Sequence, residues 1–394
     1  MCISCVSSCI RNTNQLVLTF SRTGSKCLPA SAIPKCNGMV LHDSHAEVLA
    51  LRALNRFLLS EVLAILQKCD VPYVSPFVRF RDNQEEVSQQ NVCLRQCFEI
   101  RRNVSIWMFS TEAPCGDASM EVLIAEKGAD VEPWNKTAGG QDVLQGRGCF
   151  SALGEVRRKP SRRDAEATLS KSCTDKLTVK QVTSILCFPA NLIIAPTETA
   201  YLSGLIVPST RYSEEGFRRA FGPDGRMASL QTWQLPQYGR CKSFQIAMVP
   251  PDFEPFPFAK TGKAQHFLKA GNVSAVFIRS VHESDRDIIE TILGGVKQGH
   301  RPFENDPKRS SVICRQKLWG LVRSIIDLVQ EDERVPADRR QELSRTKGVP
   351  TYGELKASDL NAHRRTAKEI VSRNLGKWPK NSGDEDWSLL QCGS

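Results

Sequence analysis

The segment Leu41-His42-Asp43-Ser44 opens the longest helical repeat in the chain. After it, Val48, Leu49, Leu54, Phe57, Leu58, Val62, Ile65 and Leu66 recur at the spacing of one helix face. Asp43 and Ser44 are the residue types that cap such a helix. Strand patterns flank it. Leu16–Phe20 has strand character and leads into the turn Thr23-Gly24-Ser25-Lys26, and Val104–Ser110 reads as a buried strand broken by Pro114-Cys115-Gly116. Ala118–Lys127 then reads as a short helix, Ser184–Ala195 and Val273–Arg279 as further strands, and Lys317–Val329 and Asp359–Leu375 as amphipathic helices. Helices and strands interleave throughout, which argues for an α/β core. Two stretches stand outside this pattern. Asp70–Glu99 is polar and irregular and reads as an insertion, and Gly128–Glu166 reads as a long loop, a feature often tied to function.

The 394 residues could hold two average domains or one enlarged one, and neither an internal repeat nor a low-complexity linker divides them. No apolar run approaches the ~20 residues that span a bilayer, so no membrane association is expected. The start, Met1-Cys2-Ile3-Ser4-Cys5, lacks the charged and apolar regions of a secretory signal, and an intracellular protein of the nucleus or cytoplasm is expected. In that compartment the 15 scattered cysteines read as reduced, most of them buried and a few available to a metal. The formal charge of +10 suits a polyanionic partner without identifying one.

The chemistry concentrates at His45-Ala46-Glu47, at a helix start, and at Pro114-Cys115, at a strand-to-helix turn. A catalytic zinc takes three nitrogen or sulfur ligands and keeps one position for water. His45 and Cys115 supply two of these, while Glu47 can face the water, as the H-x-E…P-C signature of nucleobase deaminases requires. A second cysteine usually follows two residues after the first. Here Gly116-Asp117-Ala118 follows instead, so local spacing leaves the third ligand open, with Cys173 the best substitute.

Several quoted segments resemble the family of adenosine deaminases that act on RNA. These are Thr23-Gly24-Ser25-Lys26-Cys27-Leu28-Pro29, Leu41 through Glu47, Pro114-Cys115-Gly116-Asp117-Ala118-Ser119, Ser172-Cys173-Thr174-Asp175-Lys176, Thr351-Tyr352-Gly353-Glu354-Leu355-Lys356, and Trp378 through Trp387. The resemblance runs from about residue 16 to the C-terminus and is nearest to the branch that acts on alanine tRNA beside the anticodon. It implies a single deaminase domain over 1–394 with a cytidine-deaminase-like three-layer α/β core, a zinc-site core at about 39–180, and an enlarged, largely helical C-terminal portion. It also implies zinc on His45, Cys115 and Cys173, with Glu47 shuttling protons as water adds to carbon 6 of adenine and ammonia leaves. Conversion of an adenosine to inosine in tRNA would follow, with no obligate protein partner.

By the same resemblance, Ser25 and Lys26 lie beside the flipped nucleotide. The basic run Arg157, Arg158, Lys159, Arg162 and Arg163 is similar to an Arg-Thr-Lys-Pro loop, with Arg158 in place of Thr, and is expected to contact phosphates. Inositol hexakisphosphate is implied as a buried cofactor held by Arg52, Lys176, Arg315, Tyr352, Lys356, Trp378 and Asp386. Without the resemblance, Arg315 and Lys356 read as surface charges on helices, and Tyr352 and Trp378 as core aromatics. Some positions depart from the family. Leu51 stands where a second arginine is common, Val179-Lys180 replaces an Arg-Trp pair, and Ser119 replaces the arginine of the duplex-editing branch. Residues 1–15 are atypical and read as a truncated or altered start that could leave the core incompletely covered. Two other readings stand beside this one: a double-stranded RNA deaminase, and a non-catalytic relative that binds RNA or inositol phosphate.

Overall fold

Strands in this chain are β1 (Ile3–Ile10), β2 (Gln15–Thr23), β3 (Val78–Phe80), β4 (Phe98–Ile100), β5 (Val104–Ser110), β6 (Leu144–Gln145), β7 (Arg157–Arg158), β8 (Leu202–Pro208), β9 (Gln245–Val249), β10 (Val273–Ile278), β11 (Ile288–Leu293) and β12 (Val296–Lys297). The α-helices are α1 (Ala46–Leu66), α2 (Met120–Lys127), α3 (Cys173–Thr183), α4 (Glu214–Phe221), α5 (Arg315–Gln330), α6 (Ala337–Arg345), α7 (Tyr352–Ala357) and α8 (Ala362–Asn374). The computed structural model describes residues 3–10, 15–24, 26–68, 71–81, 95–127, 144–145, 152–159, 166–235, 238–254, 272–282, 284–304 and 306–390, with backbone alone at 3–10, 15–23 and 144–145.

Eight strands form one sheet in the order β12-β11-β10-β2-β1-β5-β8-β9. Pairing is antiparallel from β12 to β5 and parallel across β5-β8-β9. The atypical first residues therefore supply a strand inside the sheet, with Val6 opposite Phe20 on one side and Ser7 opposite Trp107 on the other. Helix α1 packs against β1, β2 and β10 on one side and against α5 on another. That double contact is why Leu49, Leu54, Phe57, Leu58, Val62 and Leu66 are all buried, and why the helix is apolar beyond a single stripe. The main core continues through Val104, Ile106 and Met108 of β5 to Leu318 and Trp319 of α5. A smaller core joins Val179 and Val182 of α3 to Ala367 and Val371 of α8.

Three readings change. The run Ser184–Ala195 is buried, yet it is an irregular segment with a 3-10 turn at Ala190–Leu192 rather than a strand. Its backbone is satisfied by a side chain: Asn55 Nδ2 donates to the Ile185 carbonyl at 3.0 Å, and Asn55 Oδ1 accepts from Cys187 N at 2.7 Å. The ends of Asp70–Glu99 are not loose, because β3 and β4 pair antiparallel and bury Val78 and Phe98, while 82–94 lie outside the described residues. Finally, His45 takes the N-cap position of α1 with no side-chain cap, and Asp43 is turned to another task.

Among the described residues no helix is long and apolar enough to cross a membrane. Eight of the cysteines are seen as free thiols, consistent with the reduced reading.

Candidate active site

Three element ends converge: the start of α1 with His45 and Glu47, the turn after β5 with Cys115, and the start of α3 with Cys173. Helix α3 is capped by Ser172, whose Oγ accepts from Asp175 N at 3.1 Å, which fixes Cys173 in the first turn. The Cys115 turn is fastened to the same place. Cys173 N donates to Cys115 Sγ at 3.4 Å and Thr174 N to the Cys115 carbonyl at 3.0 Å. Gly116 makes this approach possible, because its φ is +111° and a Cβ there would lie 2.2 Å from Ser172 Oγ. Gly116→Ala is expected to cost roughly 1–3 kcal/mol through overpacking and strain and to move Cys115 away from Cys173. Thermal melting and bound-metal content, measured together, check this, and a parental value of both would contradict it.

The two thiols differ. A hydrogen bond from Cys173, with Lys159 and His45 nearby, holds Cys115 well below the usual thiol range against the cost of burial. Burial, then the hydrogen bond with Cys115 and its charge, hold Cys173 well above that range. Cys115 thus meets both Cys173 and His45.

Asp43 organises the surrounding charges. Its Oδ1 accepts from His45 N at 2.9 Å and lies 2.8 Å from His45 Nδ1, the carboxylate–imidazole pairing that orients metal-bound histidines. Its Oδ2 accepts from Lys159 Nζ at 2.9 Å, from Ser170 Oγ at 2.5 Å, and from Lys176 Nζ. Burial pushes the Asp43 carboxyl up, but Lys159, Lys176 and His45 outweigh it and hold it well below the usual range. Lys159 Nζ also donates to Cys173 Sγ at 3.4 Å.

Glu47 is 2% exposed, and its Oε2 has no hydrogen-bond partner. Burial and then the Cys115 charge raise its pKa, while His45 and Lys159 oppose the rise. A carboxylate so placed is equipped to take and return a proton.

Two tight donor groups have all their ligand atoms within 4.8 Å among the described residues: Cys27-Asp43-His45, and Cys36-His42-Asp384. Neither suits a metal through its acid. Asp43 already faces two ammonium groups. Asp384 accepts from Gly38 N at 2.7 Å and from Arg315 at 2.9 Å, and lies 2.8 Å from His42 Nε2. Cys27, with its Sγ 3.5 Å from His45 Nδ1, is a neighbour that the spacing argument did not anticipate.

Of the substrate residues, Ser25 lies outside the described residues and Lys26 is exposed. Lys26 and Cys27 line a cavity of about 250 Å³ with Leu41, Ser44, Asn272 and Gly295. Arg157, Arg158 and Lys159, expected to contact phosphates, are buried. Arg157 N donates to Asp175 Oδ2 at 2.9 Å and its guanidinium to the Ala152 carbonyl at 2.5 Å. Arg162 and Arg163 lie outside the described residues.

The profile of the adenosine-deaminase (editase) domain matches residues 22–382. The chain belongs to the editase family. As an editase it is an enzyme of the hydrolytic class that acts on carbon–nitrogen bonds, and its fold is the cytidine-deaminase-like one. A tRNA-specific adenosine deaminase 1 from Schizosaccharomyces pombe is 31% identical over 378 residues, which is 94% of this chain and 84% of the relative. Its Saccharomyces cerevisiae namesake is 31% identical over 207 residues, covering 50% of this chain and 47% of the relative. A double-stranded RNA-specific editase Adar from Drosophila melanogaster is 26% identical over 206 residues, covering 51% and 28%.

A second concentration of charge lies beyond Asp43 in this editase. Lys176 reaches Asp43 from α3, and Arg315 donates to Asp384 with its guanidinium carbon 5.9 Å from the Tyr352 ring centre. Arg52 donates to the Ile313 carbonyl at 2.7 Å, and one of its terminal nitrogens is buried without a partner. Tyr352 is buried and stacked on Trp387 with centroids 4.7 Å apart, and Lys171 Nζ sits 5.1 Å from the Trp378 ring centre. Asp386 is exposed, and the buried acid of that segment is Asp384.

Three further cations, Lys171, Arg364 and Lys368, went unread in the sequence, and Lys180, noted there only as a departure from the family, joins them. Lys171 is lowered to about 7 by burial and by Lys176, Lys368 and Lys356. Lys368 is lowered to about 8 by burial and by Lys356, Arg364 and Arg315, and Lys356 is lowered by burial and by Arg315. Burial and Arg364 hold Lys180 well below the usual range. Lys180 Nζ donates to the carbonyls of Ile185 and Leu186, and Arg364 to that of Thr183. The readable signal was the pairing of Lys176 with Lys180 and of Arg364 with Lys368, each at i,i+4 on helices α3 and α8, which pack together.

Proposed function

We propose that this chain converts adenosine to inosine in tRNA by hydrolysis, at the adenosine beside the anticodon of alanine tRNA, with zinc held by His45, Cys115 and Cys173. The observation that carries the reading is Glu47, a buried carboxylate with an unpartnered oxygen, set beside Cys115 and His45. One imidazole and two sulfurs form a donor set suited to catalytic zinc, and Asp43 leaves His45 Nε2 as the ring nitrogen with a lone pair to give. Bound there, zinc supplies Lewis acidity that brings the pKa of water from ~15.7 towards ~7. Glu47 takes one proton of the attacking water and passes it to ring nitrogen 1, then takes the proton of the new hydroxyl on carbon 6 and gives it to the departing amine, so that the carbonyl forms as ammonia leaves. Lys159 balances the Cys173 side of the donor set, and Asp43 holds the imidazole. Lys26 receives the nucleotide at the neighbouring cavity, and Ser25, which lies outside the described residues, keeps the nucleotide-contacting role that its sequence position suggests. Since Arg157, Arg158 and Lys159 are buried, we assign them to bracing this centre.

The cations gathered around Lys176, Arg315 and Lys356 favour inositol hexakisphosphate as a resident polyanion. Mutually repelling ammonium groups in a desolvated place need an anion with several oxygens to offset them. Arg52, Tyr352 and Trp378 belong to that seat, with Asp386 at its outer edge. We read 1–394 as one deaminase domain acting within the nucleus or cytoplasm.

The test incubates purified protein with alanine tRNA, sequences the RNA for inosine, and measures zinc in the same sample. Inosine beside the anticodon with about one zinc per chain is expected. Inosine confined to long duplexes would move the chain to the duplex-editing branch. Bound zinc without inosine in either RNA would make it a non-catalytic relative.

A further inference from the structure

Cys115 and Cys173 stand 58 residues apart, on separate elements. Each is followed two residues later by an aspartate, and Asp117 and Asp175 are both 0% exposed. Burying two carboxylates beside two sulfurs is costly unless cations are built in with them. Those cations come from one place, the end of α4 and the turn that follows it. Arg219 Nε donates to Asp117 Oδ2 at 3.0 Å, and its terminal nitrogens donate to the Asp117 carbonyl at 3.0 Å and to Glu121 Oε1 at 2.5 Å. Arg226 donates to Asp175 Oδ1 at 2.6 Å, and its other terminal nitrogen lies 3.9 Å from Asp117 Oδ2. The two arginines are tied by their backbones, with Arg226 N donating to the Arg219 carbonyl at 2.8 Å.

The remaining aspartate oxygens bind the 152–159 segment and the Ser172 cap. Asp117 Oδ1 accepts from Gly154 N at 2.7 Å, and Asp175 Oδ2 accepts from Ser172 Oγ at 2.6 Å and from Arg157 N. Arg226 is thus the side chain that, among the described residues, spans both aspartates, and only 4% of it is exposed. Its two terminal nitrogens address different carboxylates, Asp175 by a hydrogen bond and Asp117 at ion-pair distance without one, which an ammonium on a single stem cannot reproduce.

We infer that Arg226 is a positioning residue for the metal: through Asp117 and Asp175 it sets the separation of Cys115 and Cys173. This rests on the proposed zinc ligation by those cysteines. Ligand distances for zinc tolerate about ±0.2 Å, so two thiolates on separate elements must be fixed from outside the donor set. Partners beyond the ligands usually carry ~10–100-fold in metal affinity.

The test compares the parent with Arg226→Lys, Asp175→Asn and, as a control for general destabilisation, Leu343→Ala in the core of α6. Zinc affinity is measured by competition with a chromophoric chelator, and the sulfur-to-metal absorption band is measured after cobalt(II) substitution. Circular dichroism confirms folding. Arg226→Lys and Asp175→Asn are expected to weaken zinc ~10–100-fold and diminish the cobalt band, whereas Leu343→Ala lowers the melting temperature and leaves both readings at parental values. Should Arg226→Lys fail to fold, Asp175→Asn carries the comparison. Parental zinc affinity and cobalt band in a folded Arg226→Lys or Asp175→Asn variant would reduce the arginine to an ordinary structural ion pair. Cys115→Ser separates the two ideas: if it retains zinc at parental affinity, the ligation itself is wrong.

Discussion

Glu47→Gln should fold, bind zinc as the parent does, and turn over tRNA ~10²–10⁴-fold more slowly, the range that a positioned proton carrier contributes. An amide has the shape of the carboxyl group it replaces but cannot cycle a proton. The buried Oε2 has no partner to lose, so the exchange removes an uncompensated charge without opening a cavity. Burial and the Cys115 charge raise the pKa of Glu47, which brings it nearer to the neutral range where a carboxyl can both accept and donate. The measurement pairs single-turnover inosine formation with zinc content. Turnover at the parental rate with zinc in place would remove Glu47 from the chemistry, and loss of zinc would make it a ligand instead.

The second large effect concerns the cation seat. In polyanion-free buffer the protein should become more stable as pH rises from about 7 towards 10. Lys171 is lowered to about 7 and Lys368 to about 8 in the folded chain, whereas an unfolded lysine titrates near ~10.4. Between those values the unfolded chain binds more protons than the folded one, so stability rises with pH and falls as pH drops through the folded values. Inositol hexakisphosphate should reverse this by making the charged lysines favourable. At 100 to 1,000 times its dissociation constant, a ligand specific for the folded state adds ~2.7–4.1 kcal/mol. Melting temperatures at pH 7, 8 and 9, with and without the polyanion, read both effects. A melting temperature that falls with pH in its absence, or no response to its addition, would leave the seat unexplained.

The centre was partly legible before the fold was seen. His45 and Glu47 could be found because a helix start fixes the relation of residues two apart, and Pro114-Cys115 because a turn must end the β5 strand. Cys173 could not be found from spacing, because its nearness to Cys115 comes from tertiary packing at Gly116 and Ser172. Asp43 looked like a cap because short acids before helices usually are, and here two lysines and an imidazole claim it instead. The stretch Ser184–Ala195 looked like a strand because a run buried on every side has no periodicity to betray it, and only Asn55 of α1 reveals how its backbone is satisfied. Lys180 entered the sequence reading only as a departure from the family and Lys368 not at all, because like charges at i,i+4 give no sign of burial. Packing of α3 on α8 turned them inward.

Strand β1 divides the large sheet into β12-β11-β10-β2 on one side and β5-β8-β9 on the other. During synthesis its β2 neighbour emerges almost at once, but its β5 neighbour waits for residues 104–110. Nearly a hundred residues must leave the ribosome before that seam can close, a separation that slows folding. Removing residues 3–10 would unzip the sheet from within rather than trim its margin.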